Sequence, residues 1–355
     1  MLKSFVTFAM LSGSATLACA QGGVATYAVV DTGIVGQAGC AGACGAQGGS
    51  GLTSESYVGG REAVGNASAI FTLENGMRVD SGRGDQDERV PGRQAFVGLA
   101  GEFGAITVGR QYNLQYLALT DVADPFQGGM AGNAGNLIGG GRRTSNSVQY
   151  YGPLARGISA GASYAFKEKV DTSPAGRAWG MTVGVKAGPL TVRAAHQNLN
   201  AVRVQLHSKT SNDTVARNSI LAANLRLGWG TAYAAYSLSR GWAGSPLFNP
   251  DNPYGAGLAR TASSNSRDGL FGLAVPLGEG TTLLASYICK DDRDLANQDA
   301  RQVAFGASRA VSRRTDFYAA YSRIQNRNGA GYTVGNAGAR GSGNAAINVG
   351  MRHAF

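Results

Sequence analysis

The sequence is poor in charge and poorest in lysine. Charged residues fill 15% of the 355 positions, against about 25% in an average soluble domain. Six lysines stand beside twenty-six arginines. No apolar run approaches the roughly 18–20 residues that a membrane-spanning helix needs, which excludes a helical membrane protein. Nine prolines and the lack of a Gly-X-Y period exclude collagen in spite of 54 glycines. Glycine punctuates every segment, at about 1 kcal/mol for each one inside a helix, which argues against a helical bundle. Disorder is excluded by the 43% of apolar residues, enough to bury a large surface.

Catalytic and metal chemistry is equally thin. His196, His207 and His353 are the three histidines; His196 ends a strand pattern, His207 falls in a loop and His353 near the end of the chain. No G-x-S-x-G, phosphate-binding loop or Cys–His metal spacing occurs. Gly341 to Ala346 spells G-x-G-x-x-A but leads into a strand pattern instead of opening a helix. An enzyme, such as a hydrolase, therefore lacks a nucleophile with a positioned base, and no metal, cofactor or nucleic-acid partner is expected. A surface adhesin built from repeats would need a fixed period, and none is found.

The first twenty residues read as an export signal. Lys3 supplies the charge, Phe5 to Leu11 and Ala15 to Ala18 the apolar core, and Ala18-Cys19-Ala20 the cleavage site before Gln21. The rival reading, lipidation at Cys19, is a poor match to Thr16-Leu17-Ala18. Removal of residues 1–20 leaves 31 basic and 22 acidic residues, a net charge of +9, in a domain spanning 21–355. In an oxidising compartment Cys40 and Cys44 are expected to form a small local disulfide, since a metal would need more ligands and no histidine is near. Cys289 is expected to be a small residue on a strand.

What the chain has in abundance is period two. Ile158, Ala160, Ala162, Tyr164 and Phe166 alternate with Ser, Gly, Ala and Lys; so do Trp179, Met181, Val183 and Val185; so do Ile347, Val349, Met351, His353 and Phe355. One apolar face at this period means half-buried strands. The connections alternate strictly. Tight ones fall at 62–66, 100–104, 152–157, 187–189, 228–230, 276–280 and 311–314; long polar ones fall at about 36–54, 80–91, 112–145, 168–178, 200–217, 241–267, 291–300 and 326–344. That pattern predicts sixteen strands. Short turns on one side, long loops on the other, an apolar outside and a polar inside describe an outer-membrane barrel, in which closure satisfies every backbone group. Tyr164, Phe166, Phe317, Tyr321 and Phe355 sit where aromatic girdles would lie.

Several stretches then resemble one family. They are Val24-Ala-Thr-Tyr-Ala-Val-Val-Asp31-Thr-Gly-Ile34, Ala69-Ile-Phe-Thr-Leu-Glu74-Asn-Gly76, Gly92-Arg93-Gln94-Ala-Phe96-Val-Gly98-Leu, Val108-Gly109-Arg110-Gln111-Tyr112, Asn146-Ser147-Val148-Gln149-Tyr150, Arg314-Thr315-Asp316-Phe317-Tyr318 and Val349-Gly350-Met351-Arg352-His353-Ala354-Phe355. In order and spacing the chain resembles a Gram-negative general diffusion porin of the β-proteobacterial type. The resemblance implies an all-β fold, a sixteen-stranded antiparallel transmembrane barrel whose third long loop folds inward. It implies a homotrimer of water-filled channels for small hydrophilic solutes and ions, in contact with outer-membrane lipid and lipopolysaccharide. A substrate-specific channel of the same fold is the alternative. It implies that Phe355 belongs to the signal read by the barrel assembly machinery.

The resemblance also assigns roles in the pore. Asp121 and Asp124 map onto the acidic loop, and Arg93, Arg110 and Arg143 onto a basic wall facing it. Opposed charges across a narrow gap make a transverse field that sorts solutes. Arg110 shares its strand parity with Ile106 and Val108, so it faces lipid if they do, unless the wall behind the loop is apolar. Glu74 and Arg78 are weaker lumen candidates. The chain departs from the family at Tyr57-Val58-Gly59, where a lumenal basic residue is common. Modest anion preference is expected. The acidic clusters Asp85-Gln-Asp87-Glu88 and Asp291-Asp292-Arg293-Asp294 read as solvated loops before they read as cation sites.

Overall fold

The computed structural model describes residues 23–39, 46–49, 54–77, 79, 82, 84, 90–129, 131–139, 143–166, 177–200, 205–206, 209–210, 215–241, 263–334 and 343–355. Arg78, Cys40, Cys44, Asp85, Asp87, Glu88 and His207 lie outside the described residues.

Sixteen strands form the wall. In chain order they are β1 (Gly23–Ala38), β2 (Ser54–Val64), β3 (Ala67–Met77), β4 (Gln94–Gly101), β5 (Gly104–Tyr112), β6 (Arg143–Ala155), β7 (Ile158–Ala165), β8 (Ala178–Ala187), β9 (Leu190–Asn200), β10 (Val215–Leu227), β11 (Gly230–Arg240), β12 (Asn265–Pro276), β13 (Thr281–Asp292), β14 (Ala300–Ala310), β15 (Thr315–Asn326) and β16 (Ala345–Ala354). Each pairs antiparallel with its sequence neighbours, and β1 pairs with β16 from Val29↔Ala354 to Ala38↔Ala345, which closes the barrel. Short extra strands lie in two of the long connections, at Ala46–Gly49, paired to β1, and at Gln205–Leu206 with Lys209–Thr210.

The alternation of the sequence becomes the two faces of this wall. Ile34, Val97, Ile106, Val108, Met181, Val183, Phe271, Phe305, Ile347 and Val349 are exposed on the outside, where hydrocarbon would cover them. Thr72, Glu74, Thr107, Gln197, Asn218, Asp268, Ser286, Gln302 and Asn348 are buried on the inside. Tyr318 donates to Asp31 Oδ1 (2.5 Å) across the inner face of β15 and β1. Cys289 is on β13, on the face of Tyr287, whose hydroxyl lies 3.2 Å from its Sγ.

The interior is filled on one side by the connection between β5 and β6. It carries a short α-helix, Leu114–Ala118, capped by Asn113, which accepts from Tyr116 N (2.8 Å). A π-turn, Leu119–Ala123, follows, then a 3₁₀ turn, Ala134–Asn136. Ala118, Leu119, Val122, Ala131, Leu137 and Ile138 are buried against Ala195, Ile220, Ala222, Leu270, Ile288 and Ile324 on β9 to β15. The third long loop thus folds inward, as expected. The apolar inner wall stands behind it on these later strands, not on β5.

Candidate functional site

The inner surface offers two charged groups and the anchors that hold the loop between them. The first group stands on β2 to β6. Glu74 is on the lumen parity of β3, buried, and accepts from Gln94 Nε2 through Oε2 (2.7 Å). Its Oε1 takes Arg93 Nε. The same guanidinium lies 3.1 Å from Glu55 Oε2 and donates to the Tyr112 hydroxyl (2.8 Å). Arg143 donates to that hydroxyl too (2.9 Å) and lies over the Tyr112 ring at 4.7 Å, a cation–π geometry. Tyr112 in turn stacks on Tyr116, the first turn of the loop helix, at 5.2 Å. The structure therefore brings Glu74, Arg93 and Arg143 together around one tyrosine at the root of the loop.

Arg110 is placed elsewhere. It pairs with Ala95 in the register that sets Val97 opposite Val108 and Leu99 opposite Ile106, so it has the parity of their outward face. The strand shifts register between Gly109 and Gln111. Beyond the shift Gln111 is inside, 2.6 Å from Thr107 Oγ1. The Arg110 guanidinium bonds Gly92 O (3.0 Å) and Ser145 Oγ (2.8 Å) at the end of the strand.

The second group forms where the loop meets β9. Asp121 Oδ2 lies 3.5 Å from Arg193 Nη1, and its Oδ1 accepts from Thr120 (3.3 Å). Arg193 also donates to Tyr151 OH (3.0 Å). Burial pushes the Asp121 carboxyl up to about 6, with Arg193 pulling the other way; desolvation wins because the charged form is the one that loses water. Arg193, Tyr151, Tyr112 and Glu55 were not anticipated. Arg193 was readable, since it shares strand parity with Gln197 on a polar inner face. Glu55 shares parity with Tyr57, so β2 supplies an acid where the family commonly has a base.

Asp124 is turned into the loop itself. Its carboxylate accepts from Phe126 N (2.9 Å), Gly128 N (2.9 Å) and Ala134 N (3.0 Å). It organises the turn, the Asx behaviour that a buried aspartate offers.

The back of the loop is tied to the far wall. Asn224 donates to Val122 O (2.9 Å), and Gln302 to Gly132 O (3.1 Å). Asn136 donates to Gln302 Oε1 (3.1 Å). Lys290, fully buried, donates to Leu137 O (3.0 Å) and pairs with Asp268 (3.0 Å). Pro125 and Phe126 sit on two inner-face glycines. A Cβ at Gly272 would stand 2.8 Å from Pro125 Cγ, and one at Gly306 2.9 Å from the Phe126 ring. Glycine is needed there because the loop approaches the strand backbone.

Two histidines find hydroxyls on the outer face. His196 Nδ1 is 2.8 Å from Ser219 Oγ beside Trp179, and His353 Nδ1 is 2.9 Å from Thr315 Oγ1. Phe355 donates its N–H to Ala28 O (2.8 Å) and meets the His353 ring edge-on at 4.6 Å.

With this geometry in hand, comparison with known proteins is informative. The family model described as Gram-negative porin matches residues 7–329. An outer membrane porin protein of Bordetella pertussis is 27% identical over 401 aligned positions, and outer membrane porin protein 32 of Delftia acidovorans is 27% identical over 377. Both alignments span the whole of both chains. Among solved structures, an anion-selective porin from Comamonas acidovorans superposes with a TM-score of 0.72 at 22% identity, covering 94% of this chain and all of that one. The outer-membrane protein OmpT of Vibrio cholerae gives 0.67 at 17% identity, covering 96% of this chain and 99% of that one. A closed barrel with a loop laid along its inner wall is the architecture of a channel, and the family match along most of the sequence places this chain in the Gram-negative porin family, as a porin of the outer membrane.

Proposed function

We propose that the channel passes small hydrophilic solutes and ions with a modest preference for anions, and that its narrow zone runs between the tyrosine-centred cluster at the loop root and the Asp121–Arg193 pair. One observation carries the sign. In the Arg93–Glu74 pair the guanidinium is the more exposed partner, at 15% against 1% for the carboxylate. Glu55, its other partner, is exposed to 12%, so a solute passing this wall meets the Arg93 cation with one carboxylate beside it. Arg143 adds a second guanidinium beside it, and Arg352 is on the lumen parity of β16, opposite Asp31. Fixed guanidiniums lining a water-filled passage attract anions and repel cations. A similar fold is named as an anion-selective porin, which supports the same sign.

The finer assignments belong to the same reading. Residues 1–20 act as a cleaved export signal ahead of the 21–355 barrel; the working unit is a homotrimer; lipopolysaccharide surrounds the outer rim; and Phe355 is read during assembly. A planar-bilayer measurement in a KCl gradient tests the selectivity. The expected reversal potential has the sign of chloride preference, and potassium preference overturns the proposal.

A further inference from the structure

A second connection enters the barrel. The chain between β15 and β16 begins as a polar turn, with Arg327, Asn328 and Gly329 exposed. Asn328 and Gly329 are both left-handed, at φ 48° and 76°, and the turn closes with Ala330 N donating to Arg327 O (2.9 Å). The character of the chain then changes. Tyr332, Thr333 and Val334 are buried, and Tyr332 and Val334 join the same apolar cluster as Leu137 and Ile138 of the infolded loop. One side chain clasps the backbone at Tyr332: Asn326, at the end of β15, donates to Tyr332 O (2.9 Å) and accepts from Tyr332 N (3.3 Å). Arg327 N donates to Asp299 O (2.9 Å) and Asn328 Nδ2 to Asn297 O (2.6 Å), which ties the turn to the neighbouring connection. On the return, Val334 N donates to Gly343 O (3.1 Å).

What this segment covers is Lys290. An ammonium has three N–H donors, and all three are placed: on Leu137 O of the infolded loop (3.0 Å), on Ser266 Oγ (2.9 Å) and on Asp268 Oδ1 (3.0 Å). The Tyr332 ring stands against the same nitrogen, 5.6 Å from it at the centroid, within the roughly 6 Å reach of a cation–π contact. One ammonium therefore joins two connections, the infolded loop through a carbonyl and the last one through a ring. The Lys290 side chain has no exposed surface. Taking the ring away opens its nitrogen to water, which competes for the bond now made to Leu137 O. A tyrosine exposed to 1% meets no solute, so it acts on the channel through what it touches.

We propose that Tyr332 is a positioning residue for the channel: the last long connection latches the infolded loop through Lys290, and the contact sets where the Leu137 end of that loop lies and how steadily the passage is held open. The ties from Asn224 to Val122 and from Gln302 to Gly132 act earlier in the loop. The latch acts on the stretch that leads into β6 and Arg143. It concerns the width and steadiness of the passage and does not depend on which ion the lumen prefers.

The test records single channels of the full assembled protein in planar bilayers. A desolvated cation–π contact shifts a two-state balance about tenfold, so Tyr332→Ala is expected to spend about tenfold more time away from the main conductance level. Tyr332→Phe keeps the ring and is expected to stay as quiet as wild type. Tyr332→Leu keeps apolar bulk without a ring and is expected to flicker like the alanine variant. In Lys290→Met/Asp268→Leu the ammonium is gone, and adding Tyr332→Ala is expected to change the trace no further. A packing role alone gives the opposite pattern, with the leucine variant quiet and the effects additive. Wild-type dwell times in Tyr332→Ala, flicker in Tyr332→Phe, a quiet Tyr332→Leu, or added flicker in the triple variant each overturns the proposal. Unaltered gel migration before boiling certifies the fold, and the contrast of Tyr332→Leu with Tyr332→Phe carries the test if Tyr332→Ala does not assemble.

Discussion

The infolded loop has two sides, and they are built on different principles. Its back is a small protein core: Leu119, Leu137 and Ile138 bury against Ile220, Leu270 and Ile288, with Pro125 and Phe126 seated on bare glycines. The polar side chains that tie that side are buried and bonded, Lys290 with Asp268 above all. Its front and root hold charged groups in partial contact with the lumen, each guanidinium bonded to a tyrosine, Arg93 and Arg193 to carboxylates as well. The back fixes where the loop lies; the front decides what charge a solute meets. The comparison teaches that a charge inside the barrel is not by that fact a pore charge. Asp124 and Lys290 lie inside the barrel, more fully buried than Asp121, and both serve the loop's attachment.

Breaking the back should therefore alter stability and noise, and breaking the front should alter selectivity. The largest effect is expected at Lys290→Met. It strands Asp268 as a buried, unpaired carboxylate and frees Leu137 O. Breaking one partner of a buried ion pair costs about 3–5 kcal/mol, so urea unfolding of the detergent-solubilised protein should shift to a clearly lower midpoint. Lys290→Met/Asp268→Leu should recover most of that loss, because the pair is removed whole. If the double variant is as weak as the single one, the ion pair is not what holds this side.

Asp124→Ala comes next. It leaves the amides of Phe126, Gly128 and Ala134 without their acceptor, at about 1–3 kcal/mol in all once water reaches the loosened turn. The wall is untouched, so the barrel should migrate normally on a gel before boiling. Single-channel records should show a noisier and higher conductance as the loop loosens. A quiet channel of unchanged conductance would contradict the role given to this carboxylate.

At the front, Arg93→Gln removes the cation that covers Glu55 and Glu74. Two carboxylates then line the wall with Arg143 as the remaining guanidinium at Tyr112. The reversal potential in a salt gradient should move toward cation preference, and by more than in Arg143→Gln, which leaves Arg93 over the acids. Equal shifts in the two variants would remove the distinction drawn between them.

How much of this could be read from the residues follows from the kind of information each feature carries. The barrel was legible because alternation and loop length are local: Ile106, Val108 and Val97 show their face in a few positions of sequence. The same alternation, carried on to Arg110, gives it their parity, whereas family likeness puts it in the pore. Parity is a guide only within the regular strand: Arg93 shares it with Val97, and Tyr112 with Ile106 and Val108, yet both join buried Glu74 on the inner side. The loop was less legible. Its length and lack of strand pattern marked it as special, but the seats for Pro125 and Phe126 lie about 150 and 180 residues away, and no local pattern links Gly272 or Gly306 to them. Asp121 and Asp124 are alike in sequence, three positions apart. What separates them is a turn that points one at Arg193 and the other at its own backbone, a difference of tertiary geometry.

The smallest expected effect is also the most specific to the front. Asp121 titrates at about 6 in the folded chain, above its ordinary 3.8. A carboxyl raised on folding binds its proton more tightly in the folded state, so its cost to stability sets in between pH 3.8 and 6 and is complete above that window. For conduction the consequence runs the other way. At pH 7.5 Asp121 is charged and offsets Arg193; at pH 5 it is mostly neutral, and Arg193 faces the lumen uncompensated. Anion preference should rise as pH falls through about 6, in wild type but not in Asp121→Asn, which should show the acid-pH preference throughout. A reversal potential that changes equally with pH in both proteins would assign the titration to another group and leave Asp121 with the back of the loop.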